Sequence, residues 1–193
     1  ETAAETIRKD DHPRLYMNSE NAIEWAARHL DSGGLPEKIQ LFKNKAAFRK
    51  LSRPLFSGFA FREVELEELR VFPCSDFPLP FIVKPAVGFF SMGVYQVSDC
   101  RQWGRTVNSI KQEIDAIKGI YPDSVLDIGT FIIEQCIFGE EFAVDAYFDG
   151  AGEPVVLGIY KHIFSSEEDV SDRVYSTSAE IVRDNLEIGR AHV

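Results

Sequence analysis

The sequence has no excess of positive charge and no long apolar run, and each absence argues against a class of partner. Lys and Arg number 21 against 31 Asp and Glu, so the 193-residue chain carries a formal net charge of −10. A surface this acidic repels phosphate backbones and anionic lipid headgroups, so we expect no nucleic acid and no membrane as partner. No apolar stretch approaches the roughly 18 residues of a membrane span.

Cysteine is scarce, and its spacing excludes the usual short metal-binding pairs. Cys74, Cys100 and Cys136 form an odd, dispersed set without a CxxC pair. Such a set predicts free thiols in a reducing compartment, and therefore a cytoplasmic location. Each cysteine is expected to be a small buried hydrophobic residue, not a nucleophile or a ligand.

A Walker A segment, GxxxxGK[ST], is also absent, which excludes a P-loop nucleoside triphosphatase. The chain does have material for a core, since 45% of its residues are hydrophobic and 15 are Phe. The predicted elements run from helices through strand–loop–strand–helix–strand to an antiparallel pair. This order indicates an α+β fold and argues against a βαβ series.

Periodicity predicts most of the individual elements. The clearest helix follows a cap at Ser98 or Asp99, with one apolar face formed by Trp103, Val107, Ile110, Ile114 and Ile117. Pro85 is expected to stop the strand before it. The other predicted elements are strands at 14–18, 59–62, 81–84, 93–97 and 131–137, helices at 20–30, 43–51 and 64–69, and a hairpin of 142–148 with 154–163.

The strongest chemical pattern lies between Phe81 and Gly93. Lys84 ends a predicted buried strand, and Gly88 and Gly93 bound the loop that follows. The lysine would bring a positive charge to phosphate oxygens, the glycines would let backbone N–H groups approach them, and Ser91 could add a hydroxyl donor. The alternative is a plain hairpin whose strand-end lysine reaches water.

Two glutamates make a second pattern. Glu134 lies within a predicted strand, and Glu141 follows a Gly-Glu pair. Their carboxylates could accept hydrogen bonds from an adenine amine and from ribose hydroxyls, while the backbone from Gln135 to Ile137 could pair with the adenine edge. The alternative is that both are solvated surface residues.

In order and spacing, these features resemble the ATP-grasp superfamily of carboxylate–amine and carboxylate–thiol ligases, over roughly residues 41–178. The resemblance implies a strand and helical linker region at 1–53, the lid subdomain at 54–133 and the start of the larger subdomain at 134–186. Residues 187–193 resemble a translated sequencing adapter, so we expect a non-native tail there.

The resemblance also implies roles for single residues. Lys84 matches the lysine on the α- and β-phosphates, and Gly88 to Gly93, with Ser91, matches the flexible phosphate loop. Glu134 with Gln135, Cys136 and Ile137 matches the adenine hinge, and Glu141 matches the ribose-binding glutamate. A further family lysine near the start of a helix is matched by Lys45, with Lys43 as the alternative.

More than one role is open for the basic residues near the end of the chain. Lys161 could point to the γ-phosphate or the second substrate, or could simply emerge into solvent. His162 is expected to be a surface or packed residue, and a substrate contact by Arg173 stays open.

The implied cofactors are ATP and Mg²⁺, and the implied partners are ATP and a small-molecule carboxylate. The family's magnesium ligands lie on later strands, so we expect this chain to lack them and to be inactive alone. One alternative is a non-catalytic nucleotide-binding or interaction module. The other is an unrelated α+β domain, with Lys84, Glu134 and Glu141 on no common cleft.

Overall fold

The computed structural model describes residues 2–10, 15–30, 34–88, 93–117, 127–166, 169 and 173–187. They divide into two compact units, Glu1–Cys136 and Ile137–Val193. Both units combine helices with antiparallel strands, which confirms the predicted α+β class. Within these described ranges no helix is long and apolar enough to cross a membrane.

Four helices occupy the described part of residues 1–53: α1 Ala3–Arg8, α2 Glu20–His29, α3 Leu35–Lys43 and α4 Lys45–Ser52. Ser19 caps α2 by accepting a hydrogen bond from the Ala22 N–H at 3.2 Å, as predicted. The strand predicted at 14–18 is wrong for residues 15–18, which form no regular element, and residue 14 lies outside the described ranges.

The sheet of the first unit has four strands: β1 Phe61–Glu65, β2 Phe81–Val87, β3 Tyr95–Val97 and β4 Asp127–Gln135. Their spatial order is β1-β4-β2-β3, and every pair is antiparallel. Helix α5, Trp103–Ile117, connects β3 toward β4 along the chain. Short 3₁₀ helices lie at Glu68–Val71, Cys74–Asp76 and Cys100–Gln102.

One face of this sheet packs on α5 and forms the main core. The predicted apolar face of α5 is confirmed, because Trp103, Val107, Ile110 and Ile114 are all buried. They lie in one cluster with the fully buried sheet residues Phe81, Val83, Phe131 and Ile133. The buried indole N–H of Trp103 donates to the Leu69 carbonyl at 3.0 Å, which satisfies its polar group.

The opposite face of the sheet packs on α4. Ala46, Ala86 and Ile132 are fully buried together there. Strand register pairs Ile82 with Glu134 and Lys84 with Ile132. Because residues opposite one another in an antiparallel pair share a face, Lys84 and Glu134 both lie on the face that α4 covers.

Two local predictions in the first unit are wrong. The helix predicted at 64–69 is instead the end of β1 followed by a 3₁₀ turn, since β1 pairs with β4. Strand β2 does not stop at Pro85 but continues to Val87. Strand β3 pairs only with Phe81–Val83, so Pro85 lies where β2 has a single neighbour and its missing N–H is tolerated.

The prediction of three free thiols is also wrong. Cys74 and Cys100 form a disulfide, with their Cα atoms 5.7 Å apart. Only Cys136 is a free cysteine among the described residues. Cys74 precedes β2 and Cys100 follows β3, so the disulfide joins the two ends of the β2–β3 hairpin.

The second unit contains β5 Phe142–Phe148, β6 Pro154–His162, β7 Tyr175–Ser176 and α6 Ala179–Asp184. Its sheet has the order β5-β6-β7, with antiparallel pairs. The β5–β6 hairpin confirms the pairing predicted for 142–148 with 154–163. The subdomain boundaries predicted at 53/54 and 133/134 stay predictions, and residues 188–193 of the predicted tail lie outside the described residues.

Candidate functional site

A buried carboxylate with two cations lies on the α4 side of the first sheet. Glu134 comes from β4, and its side chain is only 6% exposed. One of its oxygens, Oε1, is paired with the Lys84 amino group from β2. The other, Oε2, accepts a hydrogen bond from Arg49 Nε at 2.7 Å. The structure thus brings two predicted site residues, Lys84 and Glu134, into direct contact.

Helix α4 supplies Arg49 and a further cation, Lys45, from above the sheet. Lys45 and Arg49 are four residues apart, which puts them on the same side of the helix. Lys45 donates to the Gly88 carbonyl at 3.0 Å, and the Arg49 guanidinium lies 4.3 Å from the centre of the Phe59 ring. The small side chain of Ala46, between them, allows α4 to approach the sheet closely.

Charge keeps Glu134 ionised despite its burial. Burial alone would raise the pKa of this carboxyl, but Lys84 and then Arg49 outweigh it and lower the pKa. Burial, and next the Glu134 charge, raise the pKa of the nearby Cys136 thiol.

Some backbone groups at the end of β4 already have hydrogen-bond partners within the first unit. Gln135 N–H donates to the Ala60 carbonyl at 3.0 Å, and Cys136 N–H donates to the Pro80 carbonyl at 3.1 Å. These two N–H groups are therefore already satisfied. Ile137 begins the second unit, and it is 72% exposed.

The far end of the β2–β3 loop is fixed by a glutamate of α5. Gly93 has a φ of +68° and donates its N–H to Glu113 at 3.1 Å. Tyr95 donates its hydroxyl to the same carboxylate at 2.8 Å. Burial, together with Glu113, raises the pKa of Tyr95 to about 12. Ser91 lies outside the described residues.

The remaining predicted site residues belong to the second unit. Lys161 is paired with Glu140, and the His162 ring lies 2.9 Å from a carboxylate oxygen of Glu141 through Nδ1. His162 is buried between aromatic rings, and its Nε2 has no hydrogen-bond partner in the described part of the chain. Arg173 is exposed.

Sequence reasoning missed Arg49 and Glu113. The signal for Arg49 was available, because it lies one helical turn after Lys45 in a segment already predicted to be helical. Nothing local marks Glu113, which meets Gly93 and Tyr95 only once α5 has packed.

No three His, Cys, Asp or Glu side chains among the described residues are grouped so that they could hold a metal ion. The residues described here therefore give no basis for assigning magnesium ligands.

The fold of this chain is similar to the folds of several solved structures. The chain is similar to an L-amino acid ligase from Bacillus licheniformis, with 19% identity and a TM-score of 0.57, over 96% of this chain and 42% of that one. It is similar to an N5-carboxyaminoimidazole ribonucleotide synthetase in complex with ADP, with 15% identity and a TM-score of 0.53, over 96% and 50%.

A third similar structure is the biotin carboxylase domain of the Hydrogenobacter thermophilus 2-oxoglutarate carboxylase, with MgADP, ADP and bicarbonate. The identity is 14% and the TM-score 0.56, over 90% of this chain and 38% of that one. At such identities the likeness shows the fold alone. Across these three proteins the chain spans half of their length or less.

A family model described as an ATP-grasp domain matches residues 77–191. The chain therefore belongs to the ATP-grasp family, and the predicted family and fold are confirmed. A comparison with curated proteins gave no match. Membership supports ATP-dependent, ligase-type function in general terms and excludes the reading as an unrelated α+β domain.

Proposed function

We propose that this chain is the ATP-binding portion of a ligase that activates a carboxylate as an acyl-phosphate, for attack by an amine or a similar nucleophile. Family membership supports the general class. Because the chain spans half or less of the similar solved proteins, the reaction and its substrates are proposed for a longer protein. We expect this portion alone to bind nucleotide without turnover.

The observation that carries the proposal is a local concentration of positive charge in an acidic chain. Lys45, Arg49 and Lys84 surround Gly88 and Glu134 on one face of the first sheet. Phosphate groups are bound where charged donors concentrate, and Lys84 is the donor proposed to contact them here. The net charge of −10 does not oppose this, since a site is governed by its nearest charges.

The proposed roles in the first unit follow the family pattern. Lys84 would bind the α- and β-phosphates, Lys45 would hold the loop through Gly88, and the loop itself, including Ser91, would cover the phosphates. Glu134 would belong to the hinge that contacts the adenine. Because the N–H groups of Gln135 and Cys136 already have partners, this hinge would offer the adenine edge its carbonyl groups and the backbone of Ile137.

In the second unit we propose Glu141 as the ribose-binding residue and Lys161 as a contact to the γ-phosphate or the second substrate. ATP, when bound, supplies the phosphoryl group that activates the carboxylate. The work of this chain is to position the nucleotide and to neutralise its charge. No role toward Mg²⁺ is proposed for these residues, since no group of His, Cys, Asp or Glu in the described part of the chain could hold a metal ion.

A cytoplasmic location remains a prediction, and the disulfide argues against it. It was inferred from free thiols, whereas Cys74 and Cys100 are joined in a disulfide. Disulfides are rare in cytosolic proteins.

The proposal is tested by the affinity for ADP, measured by isothermal titration calorimetry with and without Mg²⁺. We expect Lys84→Met to weaken binding by about 10- to 100-fold, the value of a charged hydrogen bond to phosphate. Lys111→Met is the matched control, because Lys111 is 24% exposed against 22% for Lys84 and pairs with Glu67 on a different part of the unit.

Equal affinity in the two variants, or no binding by the unmodified chain, would contradict the proposal. ADP binding combined with the absence of turnover in a longer protein would favour the alternative, a non-catalytic nucleotide-binding module.

A further inference from the structure

Glu134 is paired with two cations, and one of them is the residue proposed to bind phosphate. Lys84 is the residue proposed to bind phosphate, yet it is paired with the carboxylate of Glu134. For Lys84 to bind a phosphate it must leave that carboxylate. Glu134 is buried, and a buried carboxylate without a counter-ion is strongly unfavourable.

We propose that Arg49 is a positioning residue that keeps Glu134 neutralised, so that Lys84 can transfer from Glu134 to the nucleotide phosphate. The inference rests on the proposed function, because it assumes that Lys84 binds phosphate. It assigns to Arg49 a role through Glu134 and not a contact with the nucleotide.

The geometry separates the two cations. Arg49 binds Oε2, whereas Lys84 binds Oε1, so neither has to move when the other leaves. With both present, two positive charges face one negative charge. After Lys84 leaves, the remaining Arg49–Glu134 pair is still neutral.

Arg49 is also better fixed than Lys84. It extends from α4, donates through Nε at 2.7 Å, and has its guanidinium 4.3 Å from the centre of the Phe59 ring. A planar guanidinium stacked on a ring and held by a carboxylate loses little further freedom. Lys84 has a flexible stem with a single charged end, which suits it to exchange one anion for another.

Removal of Arg49 and removal of Glu134 therefore have different consequences. Without Arg49, departure of Lys84 would leave Glu134 as an unpaired buried anion, and nucleotide binding would have to overcome that cost. Without Glu134, the buried negative charge that Arg49 neutralises is lost, and Arg49 should have little effect on binding.

The test is a double-mutant cycle on the ADP dissociation constant with Arg49→Gln, Glu134→Gln and the double variant. We expect Arg49→Gln to weaken ADP binding by about 10- to 100-fold when Glu134 is present. In the Glu134→Gln background the same change should alter affinity by no more than about twofold. Arg49→Lys, which retains the charge, should recover most of the loss.

Folding of each variant is checked by circular dichroism and by the fluorescence of Trp103. If Arg49→Gln does not fold, the comparison of the double variant with Glu134→Gln still measures any direct contact, because neither carries the buried Glu134 anion. Arg49→Lys then reports on the need for charge in the presence of Glu134.

Three outcomes would overturn the inference. Equal losses in both backgrounds would mean that Arg49 binds the nucleotide itself. Unchanged affinity in folded Arg49→Gln would mean that Lys84 leaves Glu134 without help. If the unmodified chain binds no ADP, the proposed function fails and this inference fails with it, which distinguishes that case from the other two.

Discussion

Reduction of the Cys74–Cys100 disulfide is expected to destabilise the first unit by about 3.5 kcal/mol. The two cysteines are 26 residues apart in sequence. In the chain-entropy description, opening a loop of that size restores freedom to the unfolded chain and leaves the folded contacts largely in place. The effect should therefore appear as a lower unfolding midpoint without loss of the native fold.

The assay is urea unfolding of the oxidised and reduced forms. Trp103 is a suitable probe, because it is 7% exposed and lies in the same buried cluster as Cys74. A Trp25→Phe background removes the second tryptophan, and Cys136→Ser prevents exchange of disulfides. With a urea dependence of roughly 1–3 kcal/mol/M, the midpoint should fall by roughly 1–3.5 M.

Two results would refute this reasoning. If thiol titration of the native chain without reductant finds three free cysteines, the disulfide does not form in solution. If the disulfide forms but reduction leaves the midpoint unchanged, loop closure is not what it contributes.

Three further predictions concern the loop and the hinge. Gly93→Ala should destabilise the unit by about 1–2 kcal/mol in urea unfolding, because φ is +68° and the added Cβ would lie 3.0 Å from a proline ring of β2. Glu113→Gln should lower the pKa of Tyr95 from about 12 toward its ordinary value, without reaching it while the ring stays buried, as measured by ultraviolet titration. Glu134→Gln should lower the pKa of Cys136, because a neighbouring negative charge is lost, and iodoacetamide should then alkylate this thiol faster at pH 8. An unchanged midpoint, an unchanged phenol titration or an unchanged alkylation rate would contradict the respective prediction.

Elements with a strong local pattern could be predicted from the sequence. The face of α5 follows from apolar residues at helical spacing, and the β5–β6 hairpin follows from alternation around a turn. Both patterns report burial directly. The cap of α2 at Ser19 likewise depends on neighbours in sequence.

Elements that depend on distant partners were predicted less well. Residues 64–69 are rich in Glu and Leu and favour a helix locally, yet Val64 and Glu65 pair with β4 from more than sixty positions away. The Cys74–Cys100 disulfide requires the β2–β3 hairpin to bring its ends together. Sequence spacing alone carries neither relation.

In the candidate site, too, single residues could be predicted from local patterns but their contacts could not. Lys45, Lys84 and Glu134 could be proposed as site residues because each lies at a recognisable point of a helix or strand. Their arrangement could not, since the pairing of Lys84 with Glu134 depends on strand register and on α4 lying over the same face. The spacing of Arg49 from Lys45 could be noticed in the sequence, but the contact of Arg49 with Glu134 depends on the same arrangement.

An experimental structure of the chain with ADP is the most direct test of whether this face of the first sheet binds the phosphates through Lys84. We expect the phosphates at Lys84, with its amino group moved from Glu134 to within about 2.8 Å of a phosphate oxygen. Arg49 should keep the hydrogen bond to Glu134, which is 2.7 Å long without nucleotide. ADP bound away from this face, with Lys84 still paired with Glu134, would contradict the proposed role of Lys84 in phosphate binding.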